Sequence, residues 1–157
     1  MIPFELLLLE ESHLEGAAEL ERLSFSEPWS REALRLLLSE GGFGIVALVE
    51  GRVVAYGGMT YVLDEGSVTN IATHPDVRRQ GLGRAVTEQM LARARSLGIG
   101  SVFLEVRESN MAARALYESL GFCTCGLRKN FYRRPTESAL QMVWRAEDSE
   151  GGKKDRE

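Results

Sequence analysis

A chain of 157 residues with a hydrophobic fraction of 44% is expected to fold as one compact unit around one core. Its formal charge of -4 and pI near 5.4 run against a general binder of nucleic acid or membrane surfaces, which carry a basic excess, and suit a basic target better. No apolar run approaches the length that crosses a bilayer, and no basic segment precedes an apolar core at the N-terminus, so a cytoplasmic protein with neither nucleic acid nor membrane as partner is expected.

In chain order, Phe4 to Glu10 is apolar enough for a buried strand. His13 to Phe25 carries apolar residues at helical spacing, with Ser12 as its cap. Pro28 breaks that helix, because proline disfavours helix at the residue before it, and Ser30 caps a second helix from about Arg31 to Ser39 that ends at Gly41-Gly42. Ile45 to Glu50, Val53 to Leu63 and Val68 to Thr73 follow as three consecutive antiparallel strands, joined at Glu50-Gly51 and Asp64-Glu65-Gly66. From Leu82 the positions Val86, Met90, Ala94 and Leu97 form one stripe of a long helix that stops at Gly98. Val102 to Val106 is a strand, Asn110 to Leu120 a helix closed by Gly121, and Phe122 to Leu127 and Leu140 to Trp144 are late extended runs. The passage strand, long helix, strand is a crossover, so its two strands are expected to be parallel in a mixed, mostly antiparallel sheet. Residues 1–146 are read as a single domain, and the charged, apolar-poor stretch Glu147 to Glu157 as a disordered tail.

Three features bear on chemistry. Both cysteines fall in Cys123-Thr124-Cys125, and no second pair completes a zinc site, so no metal is expected. The segment Arg78-Arg79-Gln80-Gly81-Leu82-Gly83 lies between the strand ending at Thr73 and the helix starting near Leu82. A helix start presents N–H groups without intrahelical partners and the positive end of the helix dipole, and glycines let a polyphosphate approach them closely. No Lys-Ser/Thr follows as in a P-loop, and Val86 holds the third glycine position of a dinucleotide fingerprint, which leaves Arg/Gln-x-x-Gly-x-Gly. The third feature is Leu104-Glu105-Val106-Arg107-Glu108-Ser109-Asn110, followed by Ala115-Leu116-Tyr117-Glu118-Ser119-Leu120-Gly121-Phe122. Taken bare, Glu105 is one charge on a half-buried strand and Tyr117 an aromatic at the edge of the Ala113, Leu116, Leu120 stripe.

The two motifs together, in this order, resemble the GNAT family of N-acetyltransferases, and their wording is similar to its bacterial ribosomal-protein alanine N-acetyltransferases. The likeness runs from about Phe25 to Met142 and takes in Glu27-Pro28-Trp29-Ser30, Asn70-Ile71-Ala72 and the stretch from Gly126 and Arg128 to Tyr132. It implies an α/β fold of the GNAT type with helices on both faces of the sheet and an acetyl-coenzyme A slot between the central parallel strands. It implies acetyl-coenzyme A as co-substrate and a protein N-terminal amine as acceptor, that of a small-subunit ribosomal protein in particular. By the same resemblance Ile71, Ala72 and Thr73 pair with the pantetheine arm, Arg79, Gln80, Gly81, Leu82, Gly83 and Arg84 surround the pyrophosphate, and Asn110 contacts the coenzyme, although it also serves as a helix cap. Glu105 takes the role of base, directly or through a water, and Tyr117 that of acid for the departing thiolate, with Trp29 and Tyr132 as candidate walls of a peptide groove. Neither cysteine is near Glu105 or Tyr117 in sequence, which favours direct transfer over an acetyl-enzyme. Two departures stand out: His74 precedes Pro75 where relatives often carry an acid, and Thr136 to Leu140 differs from the usual Glu-Asp-Ala on the acceptor side. Other protein N-termini, a lysine or a small amine remain open as acceptors, as does a coenzyme-binding module without turnover.

Overall fold

The structure, a computed structural model, describes residues 2–147. The tail expected from Glu147 onward lies, beyond Glu147 itself, outside the described residues. Seven strands and four helices appear in the order β1 (Glu5–Leu8), α1 (Leu14–Ser24), α2 (Arg31–Leu34), β2 (Gly42–Val49), β3 (Arg52–Val62), β4 (Glu65–Thr73), α3 (Leu82–Ser96), β5 (Ser101–Arg107), α4 (Met111–Ser119), β6 (Cys123–Tyr132) and β7 (Glu137–Arg145). Hydrogen-bonded neighbours give one sheet in the order β1-β2-β3-β4-β5-β7-β6. Its one parallel ladder joins Glu65, Gly66 and Ser67 of β4 to Ser101, Val102 and Phe103 of β5, as the crossover requires. Among the described residues no helix is long and apolar enough to cross a membrane.

The chain divides into two compact units. One takes in the residues up to Tyr61 together with Val68–Arg93, the other Val62–Ser67 together with the residues from Ala94 onward. In the first unit β2 and β3 form a hairpin whose two-residue turn, Glu50-Gly51, has φ of 51° and 79°, the left-handed pair that a twisted hairpin needs. The ladder pairs Ala47 with Ala55 but Leu48 with Val53, so Val54 is an extra residue on β3. This bulge returns Val53 to the face of Tyr56, and both join the core built by Leu14, Ala17, Ala18 and Leu20 of α1, Leu34 and Leu37. The neighbouring glycines of β3 report helices on both faces: a Cβ at Gly57 would meet Met90 and Val86 of α3, and one at Gly58 would meet Leu37 after α2.

Several expectations need correction. The opening strand is a short edge strand rather than a buried one, with Leu7 40% and Leu8 45% exposed, because β1 pairs with β2 alone and one flank has no neighbour. Ser12 does not cap α1: it lies inside a 3-10 turn, Glu11–His13, whose start is closed by the Glu10 N–H donating to His13 Nδ1 at 3.0 Å. Ser30 does cap α2, its Oγ accepting the Ala33 N–H at 3.0 Å, yet the α-helix tightens after one turn into a 3-10 segment, Arg35–Leu38. Leu97 leaves the α3 stripe and is 37% exposed, since the helix ends at Ser96, and Gly98 at φ 80° then turns the chain so that the Ile99 N–H returns to the Ala94 carbonyl at 2.9 Å. Cys123 and Cys125 are both exposed, on the edge strand β6, whose ladder skips Cys125.

In the second unit, β5 alternates strictly, burying Val102, Leu104 and Val106. Trp144 of β7 is buried under the Arg95 guanidinium, 5.2 Å from its ring centroid. The close approach of α3 to β3 predicts that Gly57→Ala, whose Cβ would stand 2.4 Å from Met90 Sδ and 3.0 Å from Val86 Cγ1, destabilises the fold by about 1–3 kcal/mol, whereas Gly100→Ala, with nothing nearer than 3.9 Å, costs less than about 1 kcal/mol. Urea midpoints of the two variants measure the difference.

Candidate active site

The residues singled out by sequence fall into two sets, one in each unit. The first begins where β4 ends. After Thr73 the chain passes through a 3-10 turn, Pro75–Val77, capped by His74, whose Nδ1 accepts the Asp76 N–H at 3.1 Å, so the residue that departs from the usual acid performs a turn's work. Arg79 has φ 67° and Gly81 φ 82°, two left-handed residues in the turn just before α3. A turn of this kind can aim successive N–H groups toward one concave side, a nest that suits an anion. The Ala85 N–H donates to the Gly81 carbonyl at 3.0 Å, and the N–H groups of Leu82 and Gly83, ahead of that bond, have no carbonyl one turn back inside the helix. Thr87 Oγ donates to the Gly83 carbonyl at 2.7 Å and stiffens that first turn. Arg78 Nε donates to the Thr73 carbonyl at 3.4 Å, tying the loop back to β4, and Arg84 lies 3.9 Å from Glu88 on the same helix. Leu82 is buried and anchors the turn, while Arg79, Gly81 and Arg84 are exposed. The N–H groups, the dipole and the exposed guanidinium groups of Arg79 and Arg84 are features that suit an anion. Ile71, Ala72 and Thr73 precede it on β4, beyond the three residue pairs of the parallel ladder with β5.

The second set lies in the other unit. Glu105 stands on β5 between buried Leu104 and Val106, so its side chain takes the opposite, more polar face. Register places Gln141 of β7 and Gly126 of β6 directly beside it in the ladder, and Ala139 and Arg128 beside Arg107. Arg128 Nε comes within 3.5 Å of Glu105 Oε2. Arg107 is held by the Pro135 carbonyl at 2.9 Å, the Arg133 carbonyl at 3.2 Å and Glu137 Oε1 at 3.3 Å, and its guanidinium covers the Tyr132 ring at 4.5 Å. Glu137 also accepts the Ser109 N–H at 2.6 Å, and these hydrogen bonds, followed by the charge of Arg107, hold its carboxyl below the usual range. The turn between β6 and β7 is thereby pinned, with Tyr132 at its entrance.

Tyr117 is the buried residue of α4, not an edge of its stripe, and its ring meets that of Phe122 at 5.7 Å. Burial first, and then the field of Tyr132, pushes its phenol up to about 12. Tyr132 is likewise pushed up to about 12 by burial and then by the negative charge of Glu105. A phenol at about 12 keeps its proton throughout the neutral range, as a donor must. Asn110 caps α4, its Oδ1 accepting the Ala113 N–H at 3.1 Å, so the capping role left open by sequence is the one its oxygen performs.

The family model "Acetyltransferase (GNAT) family" matches residues 14–122. The chain belongs to that family. The [Ribosomal protein bS18]-alanine N-acetyltransferase of Escherichia coli (strain K12) is 39% identical over 124 residues, 79% of this chain and 84% of that protein. A crystal structure of the ribosomal-protein-S18-alanine N-acetyltransferase from Escherichia coli superposes with a TM-score of 0.85 at 35% identity, over 91% of this chain and 94% of that one. The NatC complex bound to Gag peptide and CoA is similar in fold alone, with a TM-score of 0.81 at 19% identity over 92% of this chain and 99% of that one. The chain is thus an acetyl-coenzyme A-dependent N-acetyltransferase of the GNAT fold.

Sequence reasoning passed over Arg107, Arg128 and Glu137 as members of the charged network, and Glu21. Arg107 lay inside a quoted motif, while Glu137 is distant in sequence and carried no local signal.

Two expected outcomes follow from this geometry. Because Gly81 needs φ 82°, Gly81→Val should disturb the nest itself and weaken acetyl-coenzyme A binding by at least about tenfold, with cooperative unfolding retained; calorimetric titration of the folded variant checks this. Tyr117→Phe keeps the ring against Phe122 and removes the proton, so turnover should fall about 10²- to 10⁴-fold at unchanged coenzyme affinity, as steady-state rates and the same titration will show.

Proposed function

We propose that this enzyme moves the acetyl group of acetyl-coenzyme A onto the α-amine of an N-terminal alanine of a small-subunit ribosomal protein in the cytoplasm. The likeness to the bS18-alanine enzyme of Escherichia coli, spanning most of both chains, carries the choice of acceptor. The acidic balance of the chain supports it, since ribosomal proteins are basic targets.

In this reading the main chain of Ile71, Ala72 and Thr73 pairs with the pantetheine arm, and the nest from Arg79 through Gln80, Gly81, Leu82 and Gly83 to Arg84 holds the pyrophosphate. Asn110 contacts the coenzyme while capping α4. An N-terminal amine has a pKa of ~8 and is mostly protonated near neutrality. Glu105 accepts a proton from that amine, directly or through a water, and frees its lone pair to attack the thioester carbonyl. As the new C–N bond forms and the C–S bond breaks, Tyr117 gives its phenolic proton to the sulfur, the proton shed by the attacking nitrogen passes through solvent to restore the phenol, and Glu105 releases the proton it first accepted to solvent. Transfer is direct, without an acetylated side chain. Trp29 forms part of the acceptor side, as does Tyr132 at the entrance to the β6–β7 turn.

The acceptor is tested with peptides that differ in the first residue alone. Alanine should give the highest kcat/KM, by at least about tenfold over leucine or aspartate. Equal rates for all, or rates seen with a lysine side chain or small amine alone, would replace the acceptor. Glu105→Gln keeps size and hydrogen bonding without a base, so its kcat/KM should fall most at neutral pH and partly recover as pH rises through the amine pKa of ~8. Parallel pH profiles of similar height for the two forms would remove Glu105 from this role.

A further inference from the structure

The most heavily bonded side chain of the first unit takes no part in the chemistry above. Glu21, near the end of α1, is 0% exposed. Its Oε1 accepts the Trp29 N–H at 2.9 Å, Asn70 Nδ2 lies 2.9 Å from Oε2 and 3.2 Å from Oε1, and the Tyr56 O–H donates to Oε2. Burial, followed by the charge and hydrogen bond of Glu21, pushes the Tyr56 phenol far up, which keeps it a donor. Every one of these groups gives a hydrogen to the carboxyl oxygens, the arrangement that satisfies a buried acid. An apolar side chain beside Tyr56 and Trp29 of this core would cost less in desolvation, so packing alone does not account for an acid here.

What the carboxylate joins gives the reason. Trp29 belongs to the turn between α1 and α2, where Pro28 and the cap at Ser30 leave the Trp29 N–H outside any helix or strand. The same turn lines an open, mostly apolar groove of about 540 Å³ with Pro28, Trp29, Ser30, Ala33 and Leu36. Asn70 directly precedes Ile71 on β4, and Tyr56 lies on β3. One buried acid thus fixes a loop with no ladder of its own to the strand that runs into the anion nest. We infer that Glu21 is a positioning residue for acceptor binding: it holds the Trp29 turn at a set height over β3 and β4, and the acceptor peptide meets a wall that is already in place. This rests on the proposed reading that the Trp29 turn belongs to the acceptor side.

Glu21→Gln tests it, since the amide keeps the volume, loses the charge and sets an N–H₂ donor among donors from Tyr56 and Asn70. Two measurements are made on the full chain. Hydrogen exchange at the Trp29 amide should speed up by at least about tenfold, with the protection of α1 and β3 retained. The KM for an alanine peptide should rise at least about tenfold, while the KM for acetyl-coenzyme A and kcat stay within about threefold, a split that mere loss of stability does not produce. Unchanged exchange at Trp29, or a loosened turn with an unchanged peptide KM, overturns the inference. If the wild-type chain does not acetylate the peptide, the acceptor reading fails by itself, and exchange at Trp29 then decides whether Glu21 holds the turn. If Glu21→Gln does not fold, Tyr56→Phe, which removes one donor and leaves that of Trp29, should show the same KM split at about threefold, and no split overturns the inference.

Discussion

An α-helix cannot satisfy its own first N–H groups, and the chain puts that obligation to use at Leu82. The donors of Leu82 and Gly83 have no carbonyl one turn back inside α3, and two left-handed residues, Arg79 and Gly81, shape the main chain just before them, a start that suits the pyrophosphate of the proposed reading. For those donors to serve as a site, the helix start must be held still. Leu82 is buried at the turn, Val86 and Met90 pack against β3 where Gly57 offers no side chain, and Thr87 ties its hydroxyl to the first turn. A side chain at Gly57 would therefore act on coenzyme binding through the seating of α3, although it touches no ligand.

The second unit sets a carboxylate and a phenol, the base and acid of the proposed reading, in different surroundings. Alternation along β5 buries Leu104 and Val106 and sends Glu105 to the polar face, where Arg128 lies against it. Tyr117 sits under its own helix against Phe122, and burial holds its proton. Arg107 and Glu137 are removed from proton transfer by the contacts they make to the β6–β7 turn, and their work is to fix Tyr132. Carboxylate and phenol differ first by residue type, and burial adds to the difference by pushing the Tyr117 phenol further up.

Local signals made much of this legible. Turn glycines, the proline of the α1–α2 turn and the alternation on β5 located the elements, and the glycine pair at Gly81 and Gly83 marked the turn into α3. The parallel pairing of β4 and β5 followed from the length of the crossover. The misses have a common cause. Whether β1 would be buried depends on its having one neighbour or two, which periodicity does not carry. Glu21 read as a polar residue on an amphipathic helix, and its partners are 8, 35 and 49 residues away. Glu137 answers to Ser109 across 28 residues. Long-range hydrogen bonds of this kind leave no pattern in the chain around either partner.

The central claim is that this acetyltransferase acts on an α-amine at a protein N-terminus. A peptide with a free N-terminal alanine and one internal lysine, incubated with acetyl-coenzyme A and the full chain and then sequenced by fragmentation, tests it most directly. The account predicts a single acetyl group on the alanine nitrogen and an unmodified lysine; acetyl on the lysine ε-nitrogen with a free alanine would contradict it.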